Sequence, residues 1–361
     1  MSHINDDPQT IQQTIQQTMQ KYSFVNDYGE GGHPDILSLM TATNLEQHSG
    51  YGTDAYSNAV RQMIEQTIGK TLSVHFASAG TQTNLVCLAA MLQPIEGVIC
   101  ANSGHIAVNE AGAIEATGHK VITADSTDGK LTVAAIEKVL KRHTLSPHVV
   151  KPKVVYISNS TELGTVYTHQ ELAKLYQFCQ DKGMYLFMDG ARLGAALAST
   201  HQDMTLADIA RHTDMFWLGG TKMGALFGEA IIIPNHEFAQ NFTLYQKQHG
   251  ALLAKSRILA QQFMVLLKDD LYLDLCRHAN QMATQIGNAF VTNGFELQVP
   301  VQSNQVFVIL NDAMINKLSQ HVHFYVWNEL DNGQKVARFV TSWATKADKV
   351  AKLLALINDT N

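Results

Sequence analysis

Residues 183–197 read GMYLFMDGARLGAAL and carry the clearest fold signal in the chain. The apolar run from Met184 to Met188 predicts a strand that is buried on both faces, and the run ends at a carboxylate, Asp189. Gly190 then turns the chain into a segment of small residues. Because a strand buried on both faces needs helices above and below it, this stretch predicts a parallel α/β sheet.

The same alternation continues on both sides of this stretch. Apolar, β-branched runs predict strands at residues 73–77, 97–100, 120–123, 153–158, 184–188, 215–218 and 229–233. Helices are predicted at residues 82–92, 109–117 and 132–142, and a further helix opens with the capping box from Thr168 to Glu171. The alternation predicts an α/β fold with a large, mostly parallel sheet.

Beyond Pro234 the pattern changes. A helical region over about residues 235–292 is followed by four predicted strands, FELQV, QVFVIL, VHFYVW and VARFVTSW, and by a helix ending at Asn358. We therefore expect an N-terminal helix within residues 1–22, a large domain over 23–245 and a smaller α+β C-terminal domain over 246–361. Ligands usually bind in clefts between domains and at the carboxyl ends of parallel strands.

Composition limits the class of protein. The chain has 361 residues, 45% apolar and 16% charged, with a formal net charge of −6. The absence of basic clusters, of a membrane-spanning run and of a signal peptide predicts a soluble, cytoplasmic protein that binds neither nucleic acid nor membrane. The four isolated cysteines predict buried free thiols, and the histidine spacing predicts no metal site.

Lys222 is the first candidate for chemistry. It lies in FWLGGTKMGALFGEAIII between two apolar runs, with Gly219, Gly220 and Gly224 around it. A lysine on an ordinary surface turn would explain this pattern. Alternatively, the glycines let a cofactor approach the backbone, and a partly desolvated amine loses its proton and forms a Schiff base.

Asp189 is the second candidate, because a carboxylate at the carboxyl end of a strand faces the ligand crevice. It could simply cap the following helix. Pyridoxal phosphate enzymes, however, need an acidic residue at the pyridine nitrogen, which keeps the ring able to accept electrons. Asp189 on one strand and Lys222 after a later one suit that cofactor.

Three further segments have both a structural and a functional explanation. The turn SAGTQTN places Thr81 where it either caps a helix or helps the first helical amides bind phosphate. His105 follows a strand end and either faces solvent or stacks on a pyridine ring. Arg338, in VARFVTSW, either forms a structural salt bridge or binds a substrate carboxylate.

Taken in this order, the segments resemble a known family, the low-specificity L-threonine aldolases of the β-eliminating-lyase group, which are fold-type I pyridoxal phosphate enzymes. The resemblance runs from about Phe24 through NDYGEGGHPDIL, YGTDAY, GTQTNL, GHIAVNEAGA, VVYISNSTELGTVY, MDGARLGAAL, LGGTKMGALFGEAI and RFVTSW. MDGAR together with GGTK is its most specific part.

The resemblance implies a role for each matching position. Lys222 would bind the cofactor covalently, Asp189 would pair with the pyridine nitrogen and His105 would stack on the ring. The phosphate would be held by Gly80, Thr81 and Gln82. The substrate carboxylate would be bound by Asn26, Arg192 and Arg338, with Arg192 also near the phenolic oxygen of the cofactor. The family forms dimers or tetramers with shared active sites, so a homodimer or homotetramer is expected.

The implied reaction is retro-aldol cleavage of L-threonine, L-allo-threonine or a related β-hydroxy-α-amino acid to glycine and an aldehyde. The alternative on the same scaffold is a phenylserine aldolase or a β-eliminating lyase. The chain departs from the family at Asn26-Asp27, where many members have Ser-Asp, and at SNSTELG, where many carry a histidine. The base is therefore left open among His105, Glu162 and a water molecule.

Overall fold

The computed structural model of the chain describes residues 21–359, and its strands form three sheets. In chain order the strands are β1 (Tyr22–Ser23), β2 (Ser73–Ala77), β3 (Glu96–Ala101), β4 (Lys120–Ala124), β5 (Lys151–Ser158), β6 (Tyr185–Asp189), β7 (Met215–Gly219), β8 (Glu229–Ile233), β9 (Gln305–Leu310), β10 (Val322–His323), β11 (Tyr325–Glu329) and β12 (Lys335–Val340). The largest sheet has the order β2-β8-β7-β6-β5-β3-β4. Strand β8 runs antiparallel to both neighbours and the other pairs are parallel, which confirms the predicted α/β fold.

Helices cover the sheets and connect their strands. In chain order they are α1 (Pro34–Ala42), α2 (Ala55–Ile68), α3 (Gly80–Met91), α4 (His105–Val108), α5 (Ala113–Ala116), α6 (Val133–Arg142), α7 (His169–Asp181), α8 (Leu193–Leu197), α9 (Leu206–Arg211), α10 (His236–Ala239), α11 (Phe242–Gln248), α12 (Arg257–Leu266), α13 (Leu271–Thr292), α14 (Asp312–Ser319) and α15 (Ala347–Asn358). None of these helices is both long and apolar enough to cross a membrane.

The large sheet is apolar on both faces, as its sequence predicts. Every residue of β3, β7 and β8 is buried. Neighbouring residues alternate between two apolar clusters: Leu186 and Phe216 pack in one, whereas Phe187 and Trp217 pack in the other. Because successive side chains of a strand point to opposite faces, the two clusters are the two helix-covered sides of the sheet.

The predicted strands of the large sheet are confirmed to within a few residues, and so is the capping box at Thr168 and Glu171. The four cysteines are buried free thiols, as predicted.

The prediction of a single helix over residues 109–117 is wrong. Ala111 and Gly112 have positive φ angles of 51° and 74°, which a helix does not allow, so this stretch forms only the short helix α5 after them, and the short helix α4 ends before it at Val108.

The C-terminal part differs from prediction in three places. The helical region over 235–292 is four helices, interrupted at Gly250 and at Asp269-Asp270, where φ is positive. The stretch FELQV forms only an isolated bridge from Leu297 to Val308, so the predicted strand is wrong. The stretch VHFYVW divides into β10, which pairs with β1, and β11, which pairs with β12.

The domain division stays a prediction. Helix α13 contacts both parts: its Cys276 packs in the core of the large sheet, whereas Ile286 and Phe290 pack in the cluster that covers β9 and β12. The N-terminal helix predicted within residues 1–22 lies outside the described residues except for Lys21 and Tyr22, and Tyr22 belongs to strand β1.

Strand direction determines where a site can form. Strands β2, β3, β5, β6 and β7 all run the same way, so their carboxyl ends lie along one edge of the sheet. The antiparallel strand β8 begins at that edge with Glu229. The chain segments that carry Gly80, His105, Asp189 and Lys222 leave the large sheet along this edge, whereas Asn26 and Arg338 belong to segments outside that sheet.

Candidate active site

A cavity of about 330 Å³ opens at this edge. Seven residues singled out from the sequence form part of its wall: Gly80, Thr81, His105, Glu162, Asp189, Arg192 and Lys222. Further wall residues are Tyr28, Ser78, Ala79, Asn84, Ser158, Ser160, Ala191, Trp217, Thr221, Phe227 and Glu229. Three predicted site residues, Asn26, Gln82 and Arg338, are not part of this wall.

Lys222 lies on the loop between β7 and β8. The loop is fixed by Glu229, which accepts hydrogen bonds from Gly220 N (2.9 Å) and from Thr221 Oγ1 (2.7 Å). Burial, together with the positive charge of Arg192, holds the pKa of Lys222 below its ordinary value of 10.5, against the opposing charges of neighbouring carboxylates. A lysine amine with a lowered pKa is more readily available as a nucleophile at neutral pH.

Gly190 brings the Asp189 turn against the Lys222 loop. A Cβ atom at position 190 would lie 1.5 Å from the carbonyl oxygen of Trp217, so only glycine fits. The carbonyl of Gly190 also accepts a hydrogen bond from Gly219 N at 3.0 Å. The glycine in MDGAR therefore sets the spacing between the two most specific sequence motifs.

Asp189 accepts three hydrogen bonds at the end of β6. Asn84 Nδ2 (2.8 Å) and Tyr156 Oη (2.6 Å) both donate to Oδ2, and Ala191 N (2.9 Å) donates to Oδ1. These donors come from three separate segments of the chain. They fix the orientation of the carboxylate toward the cavity.

His105 begins helix α4 just beyond β3. Its backbone N–H donates to Glu162 Oε1 (2.9 Å), and its Nδ1 lies 2.8 Å from Glu110 Oε1. The ring is about one-third exposed, whereas the side chain of Glu110 is fully buried. The imidazole is thus held from behind and open toward the cavity.

Two buried carboxyls at the cavity have raised pKa values. Burial raises the pKa of Glu162 above 4.5, although Ser158 Oγ donates to it at 2.7 Å. Burial also raises the pKa of Glu229 to about 7, against the hydrogen bonds from Thr221 and Gly220.

Within residues 21–359, no group of three or more His, Cys, Asp and Glu side chains is placed to hold a metal ion.

Helix α3 points its N-terminus at the cavity. It begins without a side-chain cap, so its first N–H groups, from Gly80 onward, are free donors that suit an anion. Gln82 follows on the first turn, but its Oε1 accepts from Ser78 N (3.2 Å) and Ser78 Oγ (2.7 Å). The side chain of Gln82 therefore closes the turn, and its contribution to an anion site would come from the backbone.

The two predicted arginines have different surroundings. Arg192 pairs with Asp27 in a two-point ion pair. Arg338 is not part of the cavity wall; its guanidinium lies 4.9 Å from the ring centre of Trp327, and its Nη2 donates to the carbonyl of Val25 (3.2 Å). Burial, together with Arg192, lowers the pKa of Arg338 to about 10.

Asn26 lies beside the Asp27 ion pair. Its Oδ1 accepts a hydrogen bond from Tyr28 N at 3.1 Å, which forms a local turn. This turn presents Tyr28 to the cavity, where the Nζ of Lys222 lies 6.0 Å from the centre of its ring.

Sequence reasoning missed several residues that hold the site together, namely Asp27, Asn84, Glu110, Tyr156 and Glu229. All five lie inside quoted motifs, and an unexplained acid in an apolar or glycine-rich motif, as at Asp27, Glu110 and Glu229, was an available signal. Asn84 and Tyr156 carried no local signal, because their partners are distant in sequence.

The donor set of the cavity fits pyridoxal phosphate. It combines the amine of Lys222, an acceptor carboxylate at Asp189 for a protonated ring nitrogen, and free helix amides for a phosphate group. His105 supplies an aromatic face at the wall. These groups lie around one cavity whose volume is in the range of small-molecule sites.

Comparison with known proteins agrees with this assignment. The family model described as "Beta-eliminating lyase" matches residues 27–313. The low-specificity L-threonine aldolase of Pseudomonas aeruginosa is 34% identical over 335 residues, covering 91% of this chain and 95% of that protein. The corresponding Escherichia coli protein is 25% identical, covering 84% and 89%.

Solved structures show the same relationship. A threonine aldolase from Leishmania major is 47% identical, with a TM-score of 0.91, and the match covers 93% of this chain and 98% of that one. A methionine aminotransferase from Escherichia coli, at 14% identity and a TM-score of 0.72 over 99% and 98% of the chains, shares the fold alone.

The fold and the cavity together define a pyridoxal-phosphate-dependent enzyme of fold type I. The chain belongs to the beta-eliminating lyase family and, within it, to the low-specificity L-threonine aldolases.

Proposed function

We propose that the enzyme cleaves L-threonine and L-allo-threonine between Cα and Cβ, which yields glycine and acetaldehyde, with pyridoxal phosphate as cofactor. The observation that carries this proposal is the convergence of Lys222, Asp189, His105 and Arg192 on one cavity. Its amine, anionic acceptor, imidazole and guanidinium are the groups that this cleavage requires. The relatives that are named threonine aldolases support the same reaction.

Each residue of the site has a role that follows from its chemistry. When bound, pyridoxal phosphate accepts the electron pair of the breaking bond into its ring. Lys222 holds the cofactor through its amine, Asp189 holds the ring nitrogen in its protonated form, and the backbone at Gly80, Thr81 and Gln82 binds the phosphate. His105 stacks on the ring and keeps it in place.

The substrate is oriented by its carboxylate. Arg192, fixed by Asp27, binds it at the cavity wall, and Arg338 and Asn26, which are not part of that wall, would add a positive charge and an amide group. Holding the carboxylate would fix the orientation of the Cα–Cβ bond toward the bound cofactor, and this orientation would select the bond that breaks. His105 then removes the proton of the β-hydroxyl group, directly or through a water molecule, while Glu162 is the second candidate for that base.

The first test is spectroscopic. The purified protein should be yellow, lose its colour on borohydride reduction and carry the reduced adduct on Lys222 in a peptide map. Lys222→Ala should abolish turnover, whereas Lys182→Ala, which changes an exposed lysine, should leave both colour and rate intact. A protein that stays colourless with added pyridoxal phosphate would refute the proposal.

Product analysis separates the related reactions. L-Threonine should give glycine and acetaldehyde in equal amounts. A 2-oxo acid with ammonia would instead identify a β-eliminating lyase, and a marked preference for phenylserine would identify a phenylserine aldolase. Both results would correct the proposed substrate or reaction but keep the cofactor.

We also propose a homodimer or homotetramer whose subunits share active sites. Tyr28 and Phe227 line the cavity yet are 56% and 39% exposed, and a neighbouring subunit would cover them. Sedimentation equilibrium tests the assembly. Activity recovered by mixing two differently inactivated variants tests the shared site.

A cytoplasmic location is proposed as well. The four cysteines are buried free thiols, which suits a reducing compartment. Cell fractionation with an antibody to the protein tests this location.

A further inference from the structure

Glu110 is a buried carboxylate that contacts the candidate base from behind. Its Oε1 lies 2.8 Å from His105 Nδ1 and also 2.8 Å from Asn84 Nδ2. Glu110 is 5% exposed, and it belongs to the bend that separates helices α4 and α5. A carboxylate is rarely buried without a functional or structural reason.

The orientation of Asn84 determines how the protons are distributed. Trp217 Nε1, which can only donate, points at Asn84 Oδ1 at 3.2 Å, so the amide oxygen faces the indole. The amide nitrogen therefore faces the two acids, and its two hydrogens go to Glu110 Oε1 and Asp189 Oδ2, at 2.8 Å each. Both carboxyl oxygens act as acceptors.

The histidine tautomer follows from this arrangement. Glu110 Oε1 already accepts from Asn84, so the 2.8 Å contact with His105 is a hydrogen bond in which Nδ1–H donates. In neutral imidazole only one nitrogen carries a proton, so Nε2 is the unprotonated, basic nitrogen on the other side of the ring.

We propose that Glu110 is a positioning residue that holds His105 in the Nδ1–H tautomer, so that Nε2 is the proton acceptor at the cavity. The inference rests on the proposed function, in which His105 takes the β-hydroxyl proton. Through Asn84, the same carboxylate is joined to Asp189, so one hydrogen-bonded chain aligns the base and the acid at the ring nitrogen. In the same way, the buried acid of a catalytic triad orients the catalytic histidine and fixes its tautomer.

A second observation favours a functional role for Glu110. Its other oxygen, Oε2, is buried without a hydrogen-bond partner in the described part of the chain. An unsatisfied buried carboxylate oxygen costs stability, so the acid is poorly explained as a stabilising residue. An acid kept despite that cost is expected to serve the imidazole that it contacts.

The test uses two variants with different consequences. In Glu110→Gln, the amide oxygen takes the place of Oε1 and still accepts from Asn84 and His105, so the tautomer is kept while the negative charge is lost. In Glu110→Ala, both the acceptor and the charge are lost, so the tautomer is released. Glu115→Gln is the matched control, since Glu115 is exposed on the adjacent helix.

Nitrogen-15 solid-state NMR of the histidine-labelled holoenzyme reads the tautomer directly. The His105 signals are identified by their loss in His105→Asn. Wild type, Glu110→Gln and Glu115→Gln should show a protonated Nδ1 and an unprotonated Nε2, and Glu110→Ala should show a mixture. A protonated Nε2 in the wild type, or an unchanged tautomer in Glu110→Ala, would overturn the proposal.

Kinetics give the second measurement. Loss of the acid behind a metal-binding histidine typically costs about 10- to 100-fold in activity, and we expect a loss of the same order for His105, so kcat should fall by that factor in Glu110→Ala and by less in Glu110→Gln, with KM little changed. Equal kcat values in Glu110→Ala, Glu110→Gln and Glu115→Gln would overturn the proposal. Because the NMR measurement needs no turnover, it tests the tautomer even if L-threonine is not the substrate.

If Glu110→Ala does not fold, the comparison of Glu110→Gln with wild type still tests whether Glu110 positions His105. The Gln variant should keep the tautomer and lose part of kcat. A Gln variant with a changed tautomer, or with undiminished kcat, would contradict the proposal.

Discussion

Asp27 and Arg192 are 165 residues apart in sequence and form a two-point ion pair at the cavity, with Nε to Oδ2 at 2.7 Å and Nη2 to Oδ1 at 3.0 Å. Asn304 Nδ2 donates to the same carboxylate at 2.9 Å. Burial acts to raise the pKa of Asp27, but the charges of Arg192 and Lys222 outweigh it and hold that pKa below 3.8. The N-terminal segment is thereby tied to Arg192 in the wall of the cavity.

Asp27→Ala should weaken both stability and substrate binding. Removing one partner of a buried ion pair leaves the other uncompensated and costs about 3–5 kcal/mol. The freed Arg192 also loses its fixed orientation, so KM for L-threonine should rise. Urea unfolding and steady-state kinetics measure the two effects, and Asp125→Asn, an exposed aspartate, is the control. Wild-type KM in the variant would show that Asp27 does not position Arg192.

Tyr156→Phe should lower both the stability of the fold and the rate of the reaction. The hydroxyl donates to Asp189 Oδ2 at 2.6 Å, and a hydrogen bond to a charged group contributes about 1.5–3 kcal/mol to stability. Because Asp189 also loses one of the three donors that orient it, kcat/KM should fall as well. Tyr167→Phe is the matched control, because Tyr167 is equally buried and its hydroxyl accepts from Leu131 N. Equal rate losses in both variants would point to a general packing effect.

Glu229→Gln should change the pH dependence of stability. Because folding raises the pKa of Glu229 from 4.5 to about 7, the neutral form stabilises the fold fully below pH 4.5, and this stabilisation is lost as the pH rises to about 7. The difference is about 3 kcal/mol over that interval. Relative to wild type, the Gln variant should therefore gain stability with rising pH.

Urea unfolding at a series of pH values measures this effect. Glu137→Gln, at an exposed position on α6, should follow the wild-type curve. A constant difference between Glu229→Gln and wild type across the interval would mean that folding does not raise the pKa of Glu229.

Gly190→Ala should prevent native packing of the site. Its Cβ would lie 1.5 Å from the carbonyl oxygen of Trp217, so β6 and β7 would have to separate at the carboxyl edge. Overpacking typically costs about 1–3 kcal/mol, and a backbone clash costs more. Thermal unfolding measures the loss. Gly183→Ala, where a Cβ meets no atom within 4 Å but φ is +62°, should show only the smaller strain of a left-handed alanine.

Much of the large sheet could be predicted because its signals are local. Strands buried on both faces are continuous apolar runs, so β2 and β8 were placed with their observed bounds. The predicted helix bounds were wrong where a backbone conformation ended the helix, because the pattern of polar and apolar residues continues past that point. The φ angles of Ala111 and Asp269 interrupt regions that read as continuous helix.

The candidate site was predicted in part. Residues at strand ends, such as Asp189 and Lys222, could be found because parallel strands bring their carboxyl ends to one edge. Partners such as Asn84 could not, since it lies 105 residues from Asp189 and carries no local sign of that contact. The placement of Arg338 outside the cavity wall also depended on the packing of β11 and β12.

The sequence by itself determined the class of fold, the order of the site segments and the cofactor that they suit, because each depends on local polarity or on a motif. Only the tertiary structure decided which acid faces which base. The contacts of Asp27 with Arg192 and of Glu110 with His105 and Asn84 arise when separate segments meet at the edge of the sheet. Such contacts depend on three-dimensional packing, which brings together residues that no short stretch of sequence relates.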